Sequence, residues 1–141
     1  MPRSHLLDTS VFSQPIKDKP IPHVLDRWDA LREDSICTSA VCLAEVLHGL
    51  RDRESPKYWR RYRELLENQY PVLSFDAAVA DVFSNLSVLL RRQGKTRPTL
   101  DLMIAATACY HGLVLVTINI LDFSGIPGLA IEDWGTPPTM T

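Results

Sequence analysis

The sequence is poor in cysteine and has no hydrophobic run long enough to cross a membrane. The cysteines form no CxxC pair and fall within apolar patterns, so they are interpreted as buried thiols rather than as metal ligands or a disulfide framework. There are three of them, Cys37, Cys42 and Cys109. No apolar stretch reaches the roughly 18 residues that a membrane-spanning helix needs. The first residues show no basic segment followed by an apolar core, so no secretory signal is predicted and a cytoplasmic location is expected.

The chain also lacks an excess of positive charge. It carries 15 Lys and Arg against 17 Asp and Glu, a net charge of −2, whereas indiscriminate coating of nucleic acid needs a strong basic excess. Most of the basic residues nevertheless fall into two groups, which are either solvated helix surfaces or sets of phosphate contacts. The groups are Arg51, Arg53, Lys57, Arg60, Arg61 and Arg63, and then Arg91, Arg92, Lys95 and Arg97.

What is present is an ordinary globular composition with alternating strand and helix patterns. With 141 residues, of which 45% are hydrophobic, the chain can form one domain with a full core. Short apolar strands alternate with amphipathic helices, which predicts an α/β fold with a parallel sheet and helices on both faces. The domain is predicted to span residues 1–134, and the Pro- and Thr-rich segment 135–141 is expected to be a flexible tail.

Four acidic signatures lie in a fixed order along the chain. Asp8 ends the first strand in LLDTSVFS, where Thr9 and Ser10 are predicted to cap the next helix. Glu45 lies within the helix LAEVLHGL, which Ser39 is predicted to cap and Gly49 to end. The remaining signatures are Asp101 in LDLMIAATACYHGL, and Asn119 with Asp122 in LVLVTINILDF.

The pattern favours a metal site. A carboxylate at the end of a strand lies at the carboxyl edge of a sheet, where open α/β folds place their ligands. Several carboxylates there repel one another unless a cation neutralises them, and oxygen ligands suit Mg²⁺ or Mn²⁺. The favoured function is therefore metal-dependent hydrolysis of a phosphodiester. Taken singly, Asp101 also fits a first-turn acid favoured by the helix dipole, and Glu45 also fits a solvent-facing glutamate. His48 and His111 are the less favoured catalytic candidates.

The four signatures together resemble those of PIN-domain ribonucleases, in particular the VapC-type toxins of prokaryotic toxin–antitoxin modules. The resemblance extends over residues 6–134 and implies a three-layer α/β/α fold. It implies a catalytic set with a Mg²⁺ or Mn²⁺ site, made of Asp8, Glu45, Asp101, Asn119 and Asp122. The expected metal ligands are the first four, but whether Asn119 or Asp122 completes the site stays open. Thr9 and Thr117 match the small hydroxyl residues that support the site, Ser10 replaces a commoner asparagine, and Ile118 replaces a frequent arginine.

The resemblance also implies the function and the partners. The expected protein is an endoribonuclease toxin that hydrolyses RNA and inhibits growth, with a cognate VapB-type antitoxin. A homodimer is expected, and contact with DNA only indirectly through the antitoxin. The alternative is a catalytically inactive PIN-like binding module that acts with a partner as a DNA-bound regulator, and a general RNA-processing or DNA-directed nuclease is a third possibility. Trp28, Trp59 and Tyr62 are candidates for an interface, with a core position as the other interpretation of Trp28.

Overall fold

The computed structural model describes residues 3–139, in which five strands form one parallel sheet. In chain order they are β1 His5–Leu7, β2 Ile36–Ser39, β3 Val72–Leu73, β4 Val114–Thr117 and β5 Ala130–Asp133. The order across the sheet is β3-β2-β1-β4-β5, and each neighbouring pair is parallel. The predicted domain boundary at residue 134 and the predicted flexible tail 135–141 stay predictions. Met1, Pro2, Met140 and Thr141 lie outside the described residues.

Six α-helices connect these strands within the same residues. They are α1 Thr9–Phe12, α2 Pro22–Ala30, α3 Ala40–Arg53, α4 Pro56–Leu65, α5 Ala77–Arg92 and α6 Thr99–His111. Short 3₁₀ turns lie at Gln14–Ile16, Glu33–Ser35 and Ile120–Asp122. The predicted alternation of strands and helices is confirmed.

Two hydrophobic cores lie on opposite faces of the sheet, because successive strand residues point to opposite sides. On β1, Leu6 faces the core formed with α5 and α6, whereas Leu7 faces the core formed with α1, α2 and α4. Leu115 and Val116 divide in the same way on β4. The predicted α/β/α layering is therefore confirmed, with β1 at the centre of the sheet.

Helix α3 contributes to both cores and so crosses the carboxyl end of the sheet. Its first turn places Val41 and Cys42 in the core with α5 and α6, whereas Val46 and Leu50 lie in the other core. Glu45 lies between these two sets. The burial that anchors α3 on both sides therefore carries Glu45 across the edge at which the strands end.

Two predicted helix boundaries are wrong. Helix α3 does not end at Gly49 but continues to Arg53, and Glu54 ends it in the left-handed region with a φ of 52°. Burial of Leu50 explains this, since packing outweighs the small helix-propensity cost of one glycine. Helix α1 is capped neither by Thr9 nor by Ser10. Its cap is Asp8, which accepts a hydrogen bond from the amide of Val11. Ser39 caps α3 as predicted.

Several predicted core positions are confirmed. Trp28 is buried and packs against Phe12 and Tyr70, so its core interpretation holds. Cys37 and Cys42 are buried free thiols, and burial raises the pKa of each to about 11. Across residues 3–139, no helix combines the length and the apolar character needed to cross a membrane.

Replacement of Leu6 by alanine tests the central position of β1. Leu6 is fully buried, so Leu6→Ala is expected to lower the free energy of unfolding by about 2–5 kcal/mol through lost transfer energy and a residual cavity. Urea unfolding followed by circular dichroism measures it. The matched control is Leu65→Ala, at a leucine that is 47% exposed, for which a change of only about 0.5 kcal/mol is expected. Equal losses in the two variants would contradict the assignment of β1 to the centre of the core.

Candidate functional site

One cavity of about 250 Å³ opens at the carboxyl ends of β1 and β4. All five predicted catalytic residues line it, namely Asp8, Glu45, Asp101, Asn119 and Asp122. They come from four separate stretches of the chain, and the parallel sheet, α3 and the start of α6 bring them together. Ile104 and Phe123 form part of the apolar wall.

Asp8 is the most firmly held member of the cavity. It is only 4% exposed, and both of its carboxylate oxygens accept hydrogen bonds. Oδ1 accepts from the hydroxyl of Ser10 at 2.6 Å and from the amide of Val11 at 3.0 Å. Oδ2 accepts from the hydroxyl of Thr117 at 2.6 Å. Asp8 therefore has a fixed orientation between β1 and β4.

Hydroxyl side chains connect the acids to the backbone around them. The Thr9 hydroxyl donates to Oε1 of Glu45 at 2.5 Å, which orients the carboxylate on α3. The Ser10 hydroxyl, besides donating to Asp8, accepts from the amide of Ile118 at 3.3 Å. Thr9 and Thr117, the two residues predicted to support the site, therefore each donate a hydrogen bond to one of the acids.

The last signature forms a tight turn after β4. The amide of Asn119 donates to Oγ1 of Thr117 at 2.9 Å, so the hydroxyl that holds Asp8 also fixes the start of this turn. The amide of Asp122 donates to the carbonyl of Asn119 at 3.0 Å within the 3₁₀ turn. Asn119 and Asp122 consequently both reach the cavity, which leaves both as candidates for the last ligand position.

The pKa values of two acids in the cavity are raised, as expected when several acids lie close together without a cation. Burial, and then the charges of Asp122, Glu45 and Asp8, raise the pKa of Asp101 to about 6. Burial also raises the pKa of Asp8, although the hydrogen bonds from Ser10, Thr117 and Val11 act in the opposite direction. A cation bound among these groups would favour their charged forms.

The chemistry of the cavity fits a hard divalent cation. The candidate donors are carboxylate and amide oxygens, which Mg²⁺ and Mn²⁺ prefer. Within residues 3–139, no three His, Cys, Asp or Glu side chains are close enough to hold an ion as a ready-made set. Mg²⁺ is usually held by one or two carboxylates and keeps several waters, so acids spread around a small cavity are compatible with it.

Two histidines considered from the sequence lie elsewhere. His48 lines a separate apolar groove beyond Glu45, together with Leu100 and Met103. His111 is the last residue of α6 and does not line the acidic cavity. The sequence did not single out Ser13, which lines the cavity. Its position one turn after Thr9 and Ser10 on α1 is the only signal that could have indicated it.

The raised pKa of Asp101 predicts a loss of stability as pH rises. Between the unfolded value near 3.8 and the folded value of about 6, the native state binds more protons than the unfolded state, so the free energy of unfolding falls with pH. Asp101→Asn removes this contribution, and its profile between pH 4 and 6 is expected to be flatter than that of the wild type. Urea unfolding in EDTA measures both profiles. Asp81→Asn, at an exposed position of α5, should keep the wild-type slope, and an equally steep Asp101→Asn profile would contradict the assignment.

Comparison with known proteins agrees with this geometry. The sequence profile of the PIN domain family matches residues 5–123. A curated relative, the tRNA(fMet)-specific endonuclease VapC of Shigella flexneri, is 34% identical over 129 residues, which cover 92% of this chain and 96% of the relative.

Solved structures show the same fold over nearly the whole chain. VapBC from Salmonella typhimurium, solved bound to DNA, matches with a TM-score of 0.80 and 32% identity, covering 94% of this chain and 98% of that one. FitAcB from Neisseria gonorrhoeae matches with a TM-score of 0.83 and 28% identity, covering 93% and 98%. Family profile, relatives and structures agree, and the chain belongs to the PIN domain family, with VapC proteins among its relatives.

Proposed function

We propose that this chain is a Mg²⁺- or Mn²⁺-dependent endoribonuclease and the toxin of a VapBC-type toxin–antitoxin module. One observation carries the proposal. The five residues Asp8, Glu45, Asp101, Asn119 and Asp122 line a single small cavity at the carboxyl edge of the sheet. The Shigella flexneri relative, named as a tRNA(fMet)-specific endonuclease, supports RNA as the substrate class.

The proposed metal ligands are Asp8, Glu45, Asp101 and Asn119, with Asp122 as the further catalytic acid. When bound, Mg²⁺ or Mn²⁺ would supply activation of a water molecule and stabilisation of negative charge on the scissile phosphate. Asp101 has a pKa of about 6 without a cation and gives up its proton more readily beside one. Metal affinity is therefore expected to fall as the pH drops below this value.

Hydrogen-bond donors of the chain orient two of the proposed metal ligands. Thr117, Ser10 and the amide of Val11 hold both oxygens of Asp8, and Thr9 holds Glu45. These donors are neutral hydroxyl and amide groups, so they fix the carboxylates without cancelling their negative charge. That arrangement leaves the charge available to a cation, whereas a lysine or arginine in the same place would compete with it.

The proposed partner is a VapB-type antitoxin. The Salmonella typhimurium neighbour was solved as VapBC bound to DNA, so a complex with an antitoxin, and DNA contact through that antitoxin, are proposed for this chain as well. The homodimer and the cytoplasmic location stay predictions.

Ribonuclease activity of acid-to-amide variants tests the proposal. Asp8→Asn, Glu45→Gln and Asp101→Asn each remove one charge, and each is expected to lower cleavage of a labelled RNA by at least about a hundredfold, since removal of one preorganised electrostatic group commonly costs this much. Asp81→Asn is the matched control and should cleave like the wild type. Gel analysis with Mn²⁺ or with EDTA measures the rate, and undiminished wild-type cleavage in excess EDTA would refute metal dependence.

The same variants separate a toxin from an inactive binding module. Expression of the wild type in a bacterial host is expected to arrest growth, and Asp8→Asn should restore it at an equal level of folded protein. Equal growth of both strains, together with no RNA cleavage at any Mn²⁺ concentration, would favour the binding module.

The turn after β4 provides a second prediction about the site. Asn119→Ala and Asp122→Ala are both expected to weaken cleavage, and Asp101→Ala is expected to weaken it more. Asn119 follows β4 directly and is the proposed ligand, so Asn119→Ala should also raise the Mn²⁺ concentration needed for half-maximal activity. If Asp122→Ala abolished cleavage while Asn119→Ala had no effect, the ligand position would belong to Asp122.

A further inference from the structure

A second groove continues from the acidic cavity along α3. It has a volume of about 550 Å³ and shares Thr9, Ser13 and Glu45 with the cavity. Its floor is apolar and includes Ile16, Val46 and Leu50. A chain that enters the cavity to be cut can therefore extend into this groove without leaving the protein surface.

One face of α3 forms a side of the groove. Glu45, Gly49 and Arg53 follow one another at intervals of four residues, so they lie in a row on the same face of the helix. Glu45 reaches the cavity and Arg53 lies at the far end of the groove. Glu45 and Arg53 are separated by eight positions, which corresponds to about 12 Å along the helix axis. Arg53 therefore lies outside the cavity and is placed to contact a phosphate next to the one that is cut.

Gly49 keeps the middle of the groove open. It lies inside α3, where glycine costs helix stability relative to alanine. A side chain at this position would meet no atom within 4 Å, and its φ is not positive. Neither close packing nor backbone conformation therefore requires a glycine, and the space that its missing side chain leaves belongs to the groove.

The charges at the groove suit an anionic ligand. Lys17, Lys19 and Arg53 line it, and none of the three has a carboxylate partner within residues 3–139. Asp18 also lines the groove but is already engaged by Lys57, Arg61 and the hydroxyl of Tyr58. The remaining acid is Glu45, at the end shared with the cavity.

An aromatic ring lies beside these cations. Tyr58 lines the groove, and the guanidinium of Arg53 lies 4.8 Å from its ring centroid. The hydrogen bond of 2.6 Å from the Tyr58 hydroxyl to Asp18 fixes the ring against the segment 16–19. Lys57 and Arg61 lie over the same ring, so Tyr58 holds cations at the groove and the apolar floor is the surface left for a base. Cations that follow a groove beside a surface for the bases are the means by which proteins bind single-stranded nucleic acid.

We propose that this groove is the subsite for the unpaired RNA nucleotides next to the scissile phosphate, with the base on the apolar floor and the adjoining phosphate at Arg53, Lys17 and Lys19. The inference rests on the proposed ribonuclease function, since RNA is taken as the substrate. The proposal also gives the path of the RNA, which leaves the cavity on the Gly49 side of α3 and not on the side of His48.

Four variants of the full chain test the subsite. Gly49→Leu fills the groove, Gly49→Ala adds one methyl group, and Arg53→Ala removes a cation. Ala44→Leu is the matched control, because it places the same side chain on α3 in the groove beyond Glu45. The dissociation constant of a fluorescein-labelled single-stranded RNA is measured by anisotropy in EDTA, so that binding is separated from cleavage.

Gly49→Leu is expected to weaken RNA binding by about tenfold, within the range for loss of one stacked base, with Gly49→Ala between it and the wild type. Arg53→Ala is expected to reduce the slope of log K against log salt by about 0.7, as for one lost contact with a single-stranded phosphate. Ala44→Leu should bind like the wild type. The rise in Tm caused by Mn²⁺ should be the same in all variants, since none of the substituted residues lines the acidic cavity.

Other results would overturn the subsite. These are an unchanged dissociation constant for Gly49→Leu, equal losses in Gly49→Leu and Ala44→Leu, loss of the Mn²⁺ effect in Gly49→Leu, or absence of RNA binding by the wild type. Loss of antitoxin binding without loss of RNA binding would assign the groove to a protein. Failure of the ribonuclease proposal would look different, because the wild type would then bind RNA but not cleave it in Mn²⁺.

Discussion

Asp8 holds its carboxylate at the buried end of the central strand, and both oxygens accept hydrogen bonds from uncharged donors. One of these donors, Thr117, belongs to the neighbouring strand and also receives the amide of Asn119. The contact between Asp8 and Thr117 therefore joins the end of β1 to the turn that carries Asn119. A carboxylate buried in this way is costly unless it is hydrogen-bonded or beside a cation, and the neutral donors offset only part of that cost.

Helix α3 brings one of the acids to the same edge of the sheet. The acids that line the cavity come from different elements of the fold, and Glu45 is the one that α3 contributes. Because α3 is anchored in both cores, Glu45 can face Asp101 and Asp122 from the other side. Burial is the main cause of the raised pKa of Asp101, and the charges of Asp122, Glu45 and Asp8 add to it, as expected where these acids converge. The same helix continues past the cavity and forms one side of the groove.

The sequence was most informative where local chemistry and long-range position agree. The apolar strands that end close to Asp8 and Asn119 were enough to predict the parallel sheet and the edge at which these two residues lie. Local rules failed where packing overrode them, as at Gly49, where burial of Leu50 carries the helix onward. The groove could not be predicted, because it depends on how α3, α4 and the segment 16–19 lie together. The sequence also left open which of Asn119 and Asp122 completes the metal site, and the turn brings both of them to the cavity.

The pairing of Asp8 with Thr117 spans 109 positions of the chain, and this has a consequence during synthesis. Proteins emerge from the ribosome N-terminus first, so β1 leaves it long before β4, the neighbour that completes its hydrogen bonding. Until β4 has been made, Asp8 lacks the hydrogen bond from Thr117, and Asn119 and Asp122 have not yet been added to the chain. The acidic cavity therefore gains its last residues only when almost all of the message has been read. The topology thus ties assembly of the cavity to the end of chain synthesis.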